Sequence, residues 1–128
     1  MQPSTSEYFE GFLSRHRDRP LLEGFDALDA AFCIHLRDSD EFWNLRLESG
    51  RIVAIEPGRQ GVGAVRYEVD AEAFWAMVRG RLSPQAAFFA RRTEIAGDLF
   101  LGLKLAKVLG LFFARYPFTE PAADEHGA

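Results

Sequence analysis

Between residues 32 and 69 the chain alternates apolar and polar side chains with period two, and this alternation limits the fold more than any other feature of the 128 residues. In "FCIHLR", Phe32, Ile34 and Leu36 alternate with Cys33, His35 and Arg37. In "FWNLRLE", Trp43, Leu45 and Leu47 alternate with Asn44, Arg46 and Glu48, and in "AVRYEVD", Val65, Tyr67 and Val69 alternate with Arg66, Glu68 and Asp70. Successive side chains of a strand point to opposite faces, so each segment has one dry face and one wet face. The short links "DSDE" and Ser49-Gly50 allow antiparallel hairpins, with "RIVAIE" as a third strand. Strands covered on both faces would read as unbroken apolar runs instead. With "RTEIA" as the last strand, the pattern predicts an α/β chain of the α+β kind: a mostly antiparallel five-stranded sheet with helices on one face and solvent on the other.

The helices carry their own start signals. Ser4 and Glu7 stand at capping-box spacing ahead of Tyr8, Phe9, Phe12 and Leu13, which share one helical face. Leu21, Leu22, Phe25 and Leu28 repeat at helical spacing and predict a second short helix. Asp70 caps a helix running to Gly80, with Phe74, Trp75 and Val78 inward. Ser83 followed by Pro84 starts another, because proline lacks an N–H that the first turn does not use. Gly97-Asp98 turns the chain and caps a long helix from Leu99. "PGRQGVG" reads as a loop, since its glycines lack dinucleotide-binding spacing.

That last helix is unusually apolar. With residues about 100° apart, Lys104, Lys107 and Arg115 fall within roughly 80° of arc, whereas a surface helix needs only a ~100° apolar stripe. Gly102, Ala106, Gly110 and Ala114 form a ridge of small residues on the apolar side. Leu101, Leu105, Val108, Leu109 and Phe112 form a separate large sector. Glycine inside a helix costs about 1 kcal/mol relative to alanine, so the ridge requires a compensating gain, either close backbone packing or room for a guest. Two apolar sectors point to a helix lying between the sheet and an apolar ligand or partner, and the ridge is expected to border the hollow.

Twelve phenylalanines favour a ring-rich core with space for an apolar cavity. The single cysteine excludes an internal disulfide framework, and no segment offers an uninterrupted membrane-spanning run. A cytoplasmic location is the expectation. The net charge of −4 hides an asymmetry: residues 73–118 hold seven bases and two acids, and the remainder eight bases and seventeen acids. A cationic C-terminal part suits an anionic partner, or simply attraction between the two parts of the fold. Nucleic acid is not expected, because the pI near 5.4 opposes its phosphate field.

The stretch "GRLSPQAAFFARRTEIAGDLFLGLKLAKVL", Gly80 to Leu109, resembles the signature end of the sterol carrier protein type (SCP2-like) of lipid-binding domain. A Gly-x-Leu-x-Pro helix start, an aromatic helix, a short strand ending in Gly-Asp and a Leu/Lys helix follow one another, after the matching strand and helix "VRYEVDAEAFWAMVRG". The resemblance covers about Leu21 to Tyr116. It implies helices and sheet enclosing an apolar tunnel that binds fatty acyl chains, sterols or isoprenoid quinone precursors without catalysis. The departure lies at the C-terminus, where no apolar segment follows Phe118. Closure then falls to the N-terminal helix, to a second subunit or to nothing.

On this reading residues 1–20 are an N-terminal helical segment, 21–118 the lipid-binding domain and 119–128 a loose acidic tail. Trp43, Trp75, Phe88, Phe89, Ile95, Leu101, Leu105 and Phe112 are expected to line the cavity. Arg91, Arg92, Lys104 and Lys107 are expected to meet an anionic headgroup or a membrane surface. The function expected first is carriage of an elongated lipid. The alternatives are an accessory protein presenting a prenylated quinone precursor or polyketide intermediate to biosynthetic enzymes, and a ligand-free dimer or interaction module. Neither cofactor nor metal is expected, since His16, His35 and His126 lack zinc spacing. Cys33 and His35 share a strand face as a nucleophilic dyad would, but that face is the wet one, away from the cavity.

Overall fold

The computed structural model describes residues 4–16, 28–58, 63 and 65–118. The helix predicted from Leu21, the boundary at residue 20, most of the "GRQGV" link and the acidic tail lie outside the described residues. Five strands, β1 (Ala30–Leu36), β2 (Glu41–Glu48), β3 (Arg51–Pro57), β4 (Val65–Val69) and β5 (Thr93–Gly97), form one sheet in the order β3-β2-β1-β4-β5. Three of its pairings are antiparallel, as the alternation predicts, and β1 with β4 is parallel. The register puts Phe32 opposite Leu45 and Val65, and Ile34 opposite Trp43 and Tyr67, so the dry residues share one face.

Three helices follow the chain signals closely: α1 (Ala71–Val78), α2 (Pro84–Phe89) and α3 (Leu99–Arg115). Their caps are the predicted ones. Asp70 accepts from the Ala73 N–H at 2.8 Å, Ser83 from Ala86 at 3.0 Å and Asp98 from Leu101 at 3.1 Å. The N-terminal segment starts with the predicted capping box, Ser4 accepting from the Glu7 N–H at 3.2 Å. It then departs from a regular α-helix, making a wide π-type turn over Glu7–Phe12 and a tight 3-10 turn over Leu13–His16. Tyr8, Phe9 and Leu13 enter the same core as the sheet and helices rather than forming a unit of their own. Phe9 stacks on Trp43 at 4.6 Å, and Thr5 donates to Glu41 of β2.

The apolar surplus of α3 is absorbed mainly by protein. Gly102, Leu105, Ala106, Val108, Phe112 and Phe113 are buried, forming one broad face against β4, β5, α2 and α1. Angular width alone does not distinguish a second packed helix from a ligand. Part of the small ridge, Gly102 with Ala106, is correspondingly a packing surface. A Cβ on Gly102 would lie 2.5 Å from Ile95 Cγ2 and 3.4 Å from Val65 Cγ1, and one on Gly110 would lie 3.2 Å from Pro84 Cδ. Ala106 is buried and Ala114 is exposed.

The missing side chain at Gly102 lets α3 approach the sheet closely enough for the Tyr67 hydroxyl to donate to the Gly102 carbonyl at 2.5 Å. Ile95 Cγ2 is a branch methyl fixed by χ1 and cannot swing away freely. Gly102→Ala is therefore expected to destabilise the protein: overpacking costs about 1–3 kcal/mol, against about 1 kcal/mol gained in helix propensity. Thermal melts decide it, and a variant as stable as the parent would contradict the close packing.

A dry seam between sheet and helices as the candidate lipid site

Two small cavities lie between the dry sheet face and the helices. The first, of about 30 Å³, is lined by side chains that include Tyr67, Thr93, Met77, Pro84 and Ile95. The second, of about 20 Å³, is lined by Tyr8, Phe9, Leu13, Phe32, Leu45 and Phe112 among others. Ile34, Phe74, Leu109 and Phe113 line both, so the two are compartments of one seam divided by four side chains. An open groove outside, lined by Phe88, Phe89, Arg91 and Glu94, shares Thr93 and Ile95 with the first cavity. The seam thus lies between the α2–β5 groove and the N-terminal segment.

The expected lining residues divide between these places. Ile95 and Phe112 line the seam. Phe88 and Phe89 line the outer groove, where Phe89 is 73% exposed. Trp43, Trp75, Leu101 and Leu105 pack within or against the core and line neither cavity. Sequence reasoning missed Ile34, Phe74, Leu109 and Phe113 as the dividing group. Ile34, Phe74 and Leu109 had been read as inward or apolar residues, but the convergence of three elements on one point is not a local signal. At the inner end Phe118 packs on Tyr8 and Phe12, and its N–H donates to the Val78 carbonyl at 2.8 Å. The N-terminal segment and Phe118 together therefore provide closure.

Polar chemistry stands apart from the seam. Both His35 ring nitrogens face carboxylates, Glu68 at 2.7 Å and Asp40 at 2.8 Å, and the ring stacks on Phe42. Cys33 does occupy that outward face, yet it is only 2% exposed, which corrects the expectation of a wet position. It pairs laterally with Asn44 and Arg66. Burial pushes its thiol up, opposed by the Arg66 charge and a Trp43 backbone hydrogen bond. No group of histidine, cysteine and carboxylate side chains suited to a metal occurs among the described residues.

The cations are placed differently from one another. Arg92 reaches Glu72 at 3.4 Å. Arg91, Lys104 and Lys107 make no ion pair among the described residues. Arg91 also holds a left-handed backbone, φ 63°, at the end of α2. Its N–H donates to the Phe88 carbonyl at 3.0 Å and that of Arg92 to Ala87 at 2.8 Å. The same turn ends α1, where the left-handed position is Gly80 with φ 76°. Glycine takes that conformation without the steric cost an L side chain bears, about 1–2 kcal/mol. Arg91 thus occupies, at the mouth of the groove, a position that favours glycine. Arg91→Gly is expected to raise stability by about 1 kcal/mol in denaturant titration; a loss would show that the arginine side chain itself supports the fold.

No curated protein matches the chain. Among solved structures, the inverting sec-alkylsulfatase Pisa1 from Pseudomonas sp. superposes with a TM-score of 0.62 at 17% identity over 93% of this chain, which spans 17% of that enzyme's length. Palmitated SCP2L2 from Aedes aegypti gives a TM-score of 0.53 at 24% identity, covering 65% of this chain and 74% of that one. The UbiJ-SCP2 ubiquinone synthesis protein gives 0.61 at 13% identity, covering 84% of this chain and 94% of that one. These likenesses establish the fold. The profile of the SCP-2 sterol transfer family matches residues 9–110, most of the chain. The chain belongs to the SCP-2 sterol transfer family.

Proposed function

We propose that this protein binds an elongated apolar lipid in the seam between sheet and helices and carries it without catalysis. The observation that carries this reading is the pair of dry cavities that share Ile34, Phe74, Leu109 and Phe113, the first of which also shares Thr93 and Ile95 with the outer groove. Small-molecule pockets run to about 300–1,000 Å³, so cavities of about 30 and 20 Å³ have to widen to admit a long chain. Loading requires the dividing side chains to change rotamer. Apolar transfer supplies the drive, at roughly 0.8 kcal/mol for each buried CH₂, less the cost of association and reordering. Membership of a lipid-transfer family and the likeness to a palmitated relative support the reading.

The outer face of α3 provides a docking surface for anionic bilayers on this reading. Phe100 is 90% exposed and Leu111 46%, and both fall within the arc of Lys104, Lys107 and Arg115. No acid occurs between Leu99 and Arg115. Two copies apposed through this stripe would set cations against cations, whereas exposed rings between basic side chains suit a headgroup layer. No helix among the described residues is long and apolar enough to cross a membrane. The second reading, presentation of a prenylated quinone precursor or polyketide intermediate to biosynthetic enzymes, draws on the likeness to the UbiJ ubiquinone synthesis protein. Enzymes retained with the purified protein would favour it.

Transfer of a fluorescent long-chain lipid between vesicles tests the first reading. The protein is expected to accelerate transfer, fastest to anionic acceptors at low salt. Lys104→Gln with Lys107→Gln is expected to weaken association with anionic vesicles by about 2 kcal/mol, at ~1 kcal/mol for each basic residue, while uptake of an uncharged lipid is kept. No acceleration by the parent would contradict carriage. Equal losses of uptake and docking would contradict the separation of cavity from surface.

A further inference from the structure

The groove between α2 and β5 presents a positive charge that nothing around it cancels. It is a hollow of about 590 Å³, within the range of about 300–1,000 Å³ that small-molecule sites occupy, and Phe88, Phe89, Arg91, Thr93, Glu94 and Ile95 line it. Among the described residues Arg91 makes no ion pair. The acid beside it is engaged elsewhere. Glu94 stands opposite Glu68 on the outer face of the sheet, where Arg37 donates to its carboxylate at 2.9 Å. Alternation along β5 turns Thr93 and Ile95 the other way, into the wall of the first cavity. Arg92, next in the chain, reaches Glu72.

Two features at this place serve the fold poorly. Arg91 holds the left-handed backbone, φ 63°, at a cost glycine would not bear. The other two non-glycine residues with positive φ among the described ones, Asp40 and Ser49, sit in the turns between β1, β2 and β3, where short polar side chains are suited to that conformation. A strained residue is kept where its side chain has a use, and the Arg91 guanidinium has no ion pair to supply one. The second feature is Thr93. At 6% exposure it is the one buried polar side chain among the described residues besides the aromatic ones and Cys33. Valine would fill the same volume on a strand with no hydroxyl to satisfy. Thr93 lines both the first cavity and the groove, two residues along the chain from Arg91.

We propose that Arg91 holds the carboxylate end of an acyl lipid at the mouth of the groove, with the Thr93 hydroxyl donating to the same oxygens and the apolar tail entering the first cavity past Ile95. This rests on the lipid-binding reading above and adds a ligand class and an orientation to it: a singly charged acid, charged end outward, tail inward. A guanidinium offers two parallel N–H donors that match the two oxygens of a carboxylate. The groove is open, so the ion pair keeps part of its water and escapes the full cost of burying two charges. Phe88 and Phe89 flank the first carbons of the chain.

The test is titration of the parent, Arg91→Gln and Thr93→Val with palmitate, methyl palmitate and hexadecane delivered from cyclodextrin at about pH 8, where the free acid is ionised. The parent is expected to favour palmitate over its ester. Arg91→Gln is expected to lose about tenfold for palmitate, in line with a charge-assisted hydrogen bond, and to stay within about twofold for the ester. Thr93→Val is expected to lose about three- to tenfold for palmitate and to keep hexadecane within about twofold. Both variants should melt no lower than the parent without lipid, since neither loses a charged partner in the protein. Equal losses for palmitate and ester in Arg91→Gln, no loss for palmitate, or a clear drop in lipid-free stability would each overturn the role of Arg91. Thr93→Val binding palmitate as the parent does would overturn the role of Thr93. Palmitate with a diazirine on its terminal carbon is expected to label cavity side chains such as Met77 and Leu109, and labels confined to Phe88 and Phe89 would overturn the tail-inward orientation. Failure of the parent to bind any of the three probes would instead overturn the lipid-binding reading itself, and this inference with it.

Discussion

The contact of Gly102 with Ile95 and Val65 is the constraint on which the rest of the molecule depends. It sets how near α3 lies to the sheet, and the Tyr67 hydroxyl on the Gly102 carbonyl locks that distance from the other side. Leu109 and Phe113 meet Phe74 and Ile34 across a space that is not fully filled. The packed end holds the helix, and on the proposed reading the incompletely filled middle is where an apolar chain enters.

An apolar void is more economical empty than wet, because water there finds no partners. The seam therefore resembles an ordinary core, and the two cavities share the side chains of Ile34, Phe74, Leu109 and Phe113. Opening it would disturb phenylalanine and leucine rotamers and leave the strand ladders intact. The irregular N-terminal segment stands at one end of it and the short α2 at the other.

Much of this was legible locally. Asp70, Ser83 and Asp98 announce helix starts through side-chain chemistry within three residues, and the dry faces of β1, β2 and β4 follow from alternation alone. What was not legible depends on which element covers which. The ridge of α3 looked like surplus because α1 and α2 share its burial with the sheet. Cys33 lies on the outward face as predicted but is shielded beside Asn44 and Arg66, and periodicity carries no information about lateral cover. Tyr8 reads as one more aromatic on a helical face, and its place among Phe9, Phe12, Phe74 and Phe118 emerges only once the fold brings those rings together.

The central claim, that the guest occupies the seam and not the outer surface, is tested most directly by photocrosslinking a long-chain alcohol bearing a diazirine in mid-chain and mapping the adducts by mass spectrometry. The account predicts adducts on Ile34, Phe74, Leu109 and Phe113. Adducts confined to Phe100, Leu111 and the outer face of α3 would contradict it.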